Sequence, residues 1–208
     1  MRKGEMTMEQ KGVNIGSERL FVAIRLPEEI RTALGQKCRK LAVDLEFSKW
    51  VHTEDYHVTL QFLGDTAPDT IPALIGALKK ATSGFRPFNL SLQEWGAFGP
   101  PASPRVLWTG VTGDLEPLHD LQRAVTSATQ PLGFASEERK YSPHITIARK
   151  YKGDRPYSKE RLQTLQRAIS SPDEAVEKTP WTVDSMVIFV TRMNKSPMYE
   201  VVENISFL

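Results

Sequence analysis

A short pattern occurs twice in this chain: a histidine, an aliphatic residue, a threonine and a second aliphatic residue. The first copy begins at His57 and the second begins at His144, in a chain of 208 residues that contains four histidines. Alternate side chains of a strand point to the same face, so His57 would lie beside Thr59 and His144 beside Thr146. Two such strands that face one another would bring two imidazoles and two hydroxyls together.

This set of side chains suits the hydrolysis of a phosphodiester. The ordinary pKa of imidazole is about 6.5, so near neutral pH one histidine can act as a base and the other as an acid. A threonine hydroxyl can donate a hydrogen bond to a non-bridging phosphate oxygen and hold the phosphate for in-line attack. The sequence therefore predicts that His57 and His144 are catalytic, that Thr59 and Thr146 bind phosphate, and that no metal or other cofactor is required.

The remaining histidines and the single cysteine do not extend this pattern. His52 is predicted to lie in a surface loop, and His119 is predicted to lie beside Asp120 on the exposed side of a helix. A His-Asp pair occurs in metal-dependent phosphohydrolases, but such a site needs further His and Asp ligands. The single cysteine, Cys38, cannot form an internal disulfide, which favours the reducing cytoplasm. We therefore expect a cytoplasmic protein without a metal site.

The composition is that of an ordinary globular protein close to neutrality. The chain has 27 Lys and Arg against 25 Asp and Glu, a formal net charge of +2, and 40% hydrophobic residues. This charge is too small to predict nucleic-acid binding by bulk attraction, so such a role would need a local site. Apolar runs such as residues 186–190 fall far short of the ~20 residues that a membrane span needs. We expect a monomer that does not associate with membranes.

Strands and helices alternate along the chain after a polar lead-in at residues 1–17. Short apolar runs predict strands, and apolar residues at helical intervals predict helices. The predicted strands span residues 19–26, 57–63, 88–95, 106–111, 144–148, 181–190 and 199–202. The predicted helices span residues 28–45, 68–81, 115–129 and 159–169. Residues 18–208 are predicted to form one domain.

Several segments beyond the two His-x-Thr strands also resemble a known family. They read RLFVAIRLP from residue 19, WV at residue 50 followed by HVTLQFLG from residue 57, PRVLW from residue 104, and ERKYSPHITIAR from residue 138. Together they resemble the two-histidine phosphoesterases, and within them the RNA 2',3'-cyclic phosphodiesterases, also called 2'-5' RNA ligases. The resemblance runs from about residue 19 to residue 208.

The resemblance implies a fold, a reaction and a role for each site residue. The fold would be α+β and bilobal, with two pseudo-symmetric lobes, each an antiparallel sheet backed by helices, and an active-site groove between them. The reaction would open an RNA-terminal 2',3'-cyclic phosphate to a 2'-phosphomonoester, with 2'-5' ligation as its reverse. His144 would accept the proton of the attacking water, and His57 would donate a proton to the leaving 3' oxygen. Thr59, Thr146 and Arg149 would hold the phosphate.

Three of the candidate residues carry a reservation. Strict alternation from His144 places Arg149 on the opposite face of its strand, so Arg149 reaches the phosphate only if the strand ends or twists near Ala148. Phe21 and Trp108 are candidates for base stacking, although aromatic residues in strands more often pack in the core. Strand alternation alone also does not tell which histidine is the acid.

Two alternative functions stay open at this point. The same chemistry could act on a small cyclic nucleotide or on a 2'-5' oligoadenylate. A protein of another class could use the groove to bind RNA ends without turning them over. Binding alone would not need a second, matched histidine, which favours catalysis.

Overall fold

The computed structural model describes residues 16–169 and 179–207, except for the side chain of residue 169. Most of the predicted lead-in, residues 1–15, lies outside the described residues. The strands are Glu18–Arg25 (β1), Phe47–Trp50 (β2), His57–Thr66 (β3), Phe88–Phe98 (β4), Val106–Gly113 (β5), His144–Tyr151 (β6), Trp181–Val183 (β7), Ser185–Thr191 (β8) and Tyr199–Ser206 (β9). The helices are Glu28–Leu41 (α1), Ile71–Thr82 (α2), Leu115–Thr129 (α3) and Lys159–Ile169 (α4).

The strands form two sheets. The first sheet has the order β3-β1-β8-β9, and the second sheet has the order β2-β6-β5-β4-β7. Every pair of neighbouring strands is antiparallel. Each sheet carries one copy of the His-x-Thr pattern, on β3 in the first sheet and on β6 in the second. The expected α+β fold with two antiparallel sheets is therefore confirmed.

One large apolar core joins the two sheets to the helices. The aliphatic residues of both His-x-Thr strands lie in it: Val58 and Leu60 from β3, and Ile145 and Ile147 from β6, all at most 3% exposed. Burial of such a side chain contributes about 1.5–3 kcal/mol to folding. The alternation of the two motifs therefore fixes both strands in the core and leaves the histidines and threonines on the other face.

The helices begin and end near the predicted positions. Helix α1 has Glu28 and Glu29 in its first turn and Arg39 and Lys40 in its last turn, which complements the helix dipole. It ends at Leu41, four residues earlier than predicted, and Val43 beyond it is 83% exposed. Within the described residues, no helix is both long enough and apolar enough to cross a membrane.

The largest difference from the predicted elements lies near the C-terminus. The single strand predicted over residues 181–190 is two strands, because the chain passes from one sheet to the other at Asp184. Strand β7 pairs with β4 in the second sheet, whereas β8 pairs with β1 in the first. Both strands are apolar on their buried faces, so the residue types give no sign of the crossing.

Candidate active site

The two motif histidines stand at equivalent positions in the two sheets. His57 is the first residue of β3 and His144 is the first residue of β6. His57, Thr59, His144 and Thr146 are all half-buried, while the residues between them are buried. Each histidine therefore shares a face with its threonine, as the sequence predicted.

A bulge in β6 brings Arg149 to the same face. Ala148 pairs with Leu107 and Thr146 pairs with Trp108, so Ile147 is an extra residue in the ladder. Both Ile147 and Ala148 are consequently buried, and Arg149 after them is exposed. The extra residue reverses the alternation. It satisfies the condition under which Arg149 was expected to reach the phosphate.

Strand β3 has a bulge at the equivalent point. Gln61 pairs with Val22 and Thr59 pairs with Ala23, which leaves Leu60 as the extra residue. Leu60 and Gln61 are both buried, and Phe62 after them is exposed. Phe62 is thus the counterpart of Arg149 in the first sheet and lies on the face of His57.

Each catalytic candidate is oriented by a backbone carbonyl two residues before it. The Nδ1 atom of His57 lies 2.7 Å from the carbonyl oxygen of Asp55, and that of His144 lies 2.7 Å from the carbonyl oxygen of Ser142. A carbonyl oxygen only accepts, so Nδ1 must carry the hydrogen in both rings. The Nε2 atom of each ring is left to gain or lose a proton.

The threonine of the first motif is hydrogen-bonded to its histidine. The Nε2 atom of His57 lies 3.0 Å from Oγ1 of Thr59. Because Nδ1 already holds the ring hydrogen, the Thr59 hydroxyl donates to Nε2 when the ring is neutral. A phosphate oxygen would compete for the same hydroxyl, which would free Nε2 to take up a proton.

The surroundings favour the neutral form of both imidazoles. Burial, together with the charges of Arg149 and His144, lowers the pKa of His57 to about 4, although the hydrogen bond to the Asp55 carbonyl opposes the change. Burial also lowers the pKa of His144, again with a contribution from Arg149. Without an anionic ligand, both rings are therefore neutral at pH 7.

We expect a histidine titration followed by NMR to show this directly. In the unliganded protein the His57 resonances should titrate near pH 4, and those of His144 should titrate below the ordinary value. An unfolded histidine has a pKa of about 6.5, so the folded state binds fewer protons and the free energy of unfolding falls as the pH drops from about 6.5 to about 4. A His57 pKa at or above the unfolded value would contradict this description of the site.

Arg149 lies close to a tyrosine from the other sheet. The charge of Arg149 acts on the hydroxyl of Tyr199, the first residue of β9, and lowers its pKa, although by less than burial raises it. The Tyr199 ring contacts His57 edge-on, with ring centroids 5.2 Å apart. Burial raises the pKa of Tyr199, so its hydroxyl stays protonated. Tyr199 therefore joins the arginine of one motif to the histidine of the other.

Asp55 holds both His57 and the backbone at Tyr199 in place. Its side chain is buried, and its carboxylate accepts hydrogen bonds from the backbone N–H groups of Met198 at 3.0 Å and Tyr199 at 3.1 Å. Its carbonyl oxygen orients His57. Neither Asp55 nor Tyr199 was identified from the sequence, where the only local signal was an acidic residue just before a strand.

The two candidate stacking aromatics pack against the histidines. Phe21 is 2% exposed, and its ring contacts His57 at 4.8 Å and Tyr199 at 4.8 Å between centroids. This burial leaves no ring face open for a base and does not support stacking on Phe21. Trp108 is half-buried, lies 6.1 Å from the His144 ring, and packs so closely on Gly96 that an added Cβ would lie 2.3 Å from the indole. Base stacking on Trp108 stays a prediction.

A second tyrosine connects the two motifs through the backbone. The hydroxyl of Tyr141, three residues before His144, donates to the carbonyl oxygen of Thr59 at 3.0 Å. The bond ties the segment that leads into β6 to the first part of the motif strand β3, two residues after His57. Sequence reasoning did not identify Tyr141, because its partner lies in the other motif.

Removal of this hydroxyl should weaken the site without unfolding the protein. In the variant Tyr141→Phe we expect a loss of stability of about 1 kcal/mol, the net worth of one hydrogen bond, together with a lower kcat. Chemical denaturation and steady-state kinetics measure the two effects. Tyr151→Phe is the matched control, because the Tyr151 hydroxyl donates to the Arg155 carbonyl away from both motifs. Equal kcat values in the two variants would contradict a role for Tyr141 in joining the motifs.

The other predicted histidines lie apart from this cluster. His52 is exposed, and its Nδ1 accepts a hydrogen bond from the backbone N–H of Glu54 at 3.2 Å. His119 contacts the edge of the Tyr141 ring, and Asp120 pairs with Arg123 on the same helix. Among the residues that the structure describes, no three His, Cys, Asp or Glu side chains are grouped as metal ligands.

Known proteins resemble this chain in sequence. The 2'-5' RNA ligase superfamily matches it over residues 26–194. The RNA 2',3'-cyclic phosphodiesterase of Geobacillus stearothermophilus is 37% identical over 182 residues, which are 88% of this chain and 55% of that protein. The chain thus spans about half the length of this relative. The RNA 2',3'-cyclic phosphodiesterase of Bacillus subtilis (strain 168) is 32% identical over 185 residues, 86% of this chain and 91% of that protein.

Solved structures share the fold. A crystal structure of a Thermus thermophilus protein superimposes with a TM-score of 0.70 at 23% identity, covering 91% of this chain and 97% of that chain. The crystal structure of E. coli LigT complexed with 3'-AMP superimposes with a TM-score of 0.68 at 22% identity, covering 91% of this chain and 98% of that chain. At these identities the likeness establishes the two-lobed fold.

Proposed function

This chain belongs to the 2'-5' RNA ligase superfamily, and we propose that it is a metal-independent RNA 2',3'-cyclic phosphodiesterase. The proposed reaction hydrolyses a 2',3'-cyclic phosphate at an RNA end to a 2'-phosphomonoester. One observation carries the proposal: in both His-x-Thr motifs, Nδ1 is held by the carbonyl two residues earlier, which leaves Nε2 for proton transfer. Two relatives that are at least 32% identical bear the name of this activity.

The proposed step transfers one proton to each side of the phosphorus. Nε2 of His144 takes a proton from water as the water oxygen forms a bond to phosphorus. The bond between phosphorus and the 3' oxygen of the ribose breaks, and Nε2 of His57 gives a proton to that oxygen. The product keeps the phosphate on the 2' oxygen and has a free 3' hydroxyl. General acid and base catalysis of this kind typically contributes about 10²- to 10⁴-fold in rate.

The remaining side chains of the cleft would hold the charge of the phosphate. Thr59 and Thr146 can each donate a hydrogen bond to a non-bridging oxygen, and Arg149 can donate two in a fork. Donors fixed before the reaction stabilise the charge that builds up on these oxygens in the transition state. Acid, base and charge stabilisation are thus all assigned to side chains of this protein, which is why we propose no metal.

The substrate would supply the charge that protonates the acid. His57 has a pKa of about 4 in the unliganded protein, so at pH 7 it is neutral and unable to donate from Nε2. A phosphate anion beside the ring favours the imidazolium form and raises the pKa of His57. We therefore propose that substrate binding is accompanied by proton uptake at His57.

Hydrolysis is proposed as the main direction of the reaction. Water is present at ~55 M and needs no binding site, whereas a second RNA end must be held in place to act as the nucleophile. Ligation to a 2'-5' linkage would be the reverse reaction at high concentration of RNA ends. A monomer located in the cytoplasm remains our prediction from the sequence.

The proposal is tested with an oligonucleotide that ends in a 2',3'-cyclic phosphate. Purified protein that has been treated with EDTA and dialysed should still convert the cyclic end to a monoester. Turnover that disappears with EDTA and returns with a divalent cation would contradict the metal-independent step. Saturable, salt-dependent binding without any product would favour the alternative of an RNA-end-binding module. Turnover of small cyclic nucleotides or 2'-5' oligoadenylates, but not of RNA ends, would favour the other alternative.

A further inference from the structure

A groove of about 570 Å³ opens beside the first His-x-Thr strand. One wall is the second half of β3 with the turn after it, residues 62–67 and residue 70, and the other wall is residues 132–135. The mechanism described above does not use this groove. Its most exposed large apolar side chain is Phe62, which is 58% exposed.

Phe62 links the groove to the face of β3 that carries the first motif. The bulge at Leu60 returns Phe62 to the face of β3 that carries His57 and Thr59. The Phe62 ring lies 6.0 Å from the Phe21 ring, and the Phe21 ring lies 4.8 Å from that of His57. A row of rings therefore leads from the proposed acid to the groove, and only the outermost ring is largely open to solvent.

The proposed reaction determines which part of the substrate faces this groove. In an in-line displacement the attacking water and the leaving 3' oxygen stand on opposite sides of the phosphorus. Because His57 protonates the 3' oxygen, the ribose that carries this oxygen lies on the side of β3. We place the RNA chain that precedes this ribose on the same side. The inference rests in this way on the proposed function.

We propose that the groove binds the nucleotide that precedes the terminal one, with its base stacked on Phe62. The Phe62 ring is at most about 11 Å from the His57 ring, because the Phe21 ring lies 6.0 Å from the first and 4.8 Å from the second. Phe62 is therefore within reach of the nucleotide that adjoins the terminal one. An exposed aromatic ring suits this role because every base has a face that can stack. The carboxylate of Asp65 in the groove is paired with Arg19, with Oδ1 and Nε 3.4 Å apart, which offsets part of its repulsion of the RNA backbone.

The assignment predicts that the enzyme prefers longer substrates and that Phe62 carries the preference. We would measure kcat/KM on a 2',3'-cyclic mononucleotide and on a dinucleotide with the same cyclic end. The dinucleotide should be the better substrate. In Phe62→Ala its advantage should fall by about 5- to 150-fold, which corresponds to ~1–3 kcal/mol for the stacking of one base.

Two further variants separate stacking from a change in shape. Phe62→Trp keeps an aromatic face and should keep the preference for the dinucleotide, whereas Ala135→Trp should reduce it by filling the groove from the opposite wall. Val43→Ala, at a site that is 83% exposed and outside the groove, should leave both substrates unchanged.

Three results would overturn the assignment. They are equal kcat/KM on the two substrates in the unmodified protein, an equal loss on both substrates in Phe62→Ala, and a full preference in Ala135→Trp. Each of them leaves the proposed function intact, because the mononucleotide is still hydrolysed. If neither substrate is hydrolysed, the proposed function itself fails, and the two failures are therefore distinguishable.

Discussion

Alanine in place of His57 or His144 should lower kcat on a 2',3'-cyclic phosphate end by about 10²- to 10⁴-fold, the usual contribution of a positioned acid or base. In the proposed mechanism the two rings act in the same step from opposite sides of the phosphorus. The double variant should therefore be little worse than the more damaged single variant, as is usual for residues that act as a unit. Single-turnover kinetics with saturating enzyme would measure the chemical step separately from binding.

His52→Ala is the matched control for these variants. This histidine lies five residues before His57, is exposed, and contacts a neighbouring backbone N–H instead of the cleft. Its loss should leave kcat unchanged. Thermal unfolding of all variants checks that the motif variants are folded. If either His57→Ala or His144→Ala kept kcat within a factor of a few, the assignment of acid and base to this pair would be wrong.

Arg149→Ala should have the second largest effect, a loss of about 10²- to 10³-fold in kcat, which is typical when one donor to a developing oxyanion is removed. The same variant should raise the pKa of both His57 and His144, because the charge of Arg149 lowers both values in the unmodified protein. Arg149→Lys retains the charge but not the forked geometry. It should restore the histidine pKa values better than it restores kcat.

Arg139→Ala controls for the loss of one positive charge. Arg139 is exposed and lies in the segment before the second motif. Its removal should change neither the histidine pKa values nor kcat at moderate ionic strength, since exposed charges are strongly screened. An Arg149→Ala variant whose two histidines titrate as in the unmodified protein would show that the guanidinium does not act on the cleft.

The sequence predicted those features of the site that follow from the alternation of side chains along a strand. His57 with Thr59 and His144 with Thr146 share faces because alternate residues do so in any strand. The orientation of Arg149 depends on a bulge. The residue types of Ile147 and Ala148 do not distinguish a bulge, in which both are buried, from a regular strand. The position of Arg149 therefore required the pairing of β6 with β5.

The residues that support the site depend on contacts between distant parts of the chain. The Asp55 carboxylate meets the backbone of Met198, 143 residues later, and Tyr141 meets Thr59 across 82 residues. No local pattern predicts such pairs. The passage of the chain between the sheets at Asp184 was missed for the same reason, because strand partners are chosen by tertiary packing.

The aromatic candidates show that residue type alone does not predict which rings are open to a ligand. Phe21 and Trp108 were singled out by their types, but burial decides what an aromatic ring can contact. Phe21 supports His57 from inside a small apolar cluster that includes Val187 and Phe189. Phe62 is a ring that stands open near the first motif, and the alternation would have placed it on the other face without the bulge at Leu60.

Phosphorus NMR of the product formed in oxygen-18 water tests the central claim most directly. EDTA-treated protein should convert the cyclic end of an oligonucleotide to a single 2'-phosphomonoester that carries one oxygen-18 atom, because water attacks phosphorus and the bond to the 3' oxygen breaks. A 3'-phosphomonoester, a product without oxygen-18, or an unchanged cyclic phosphate would contradict the assignment of His144 as the base for water and His57 as the acid for the 3' oxygen.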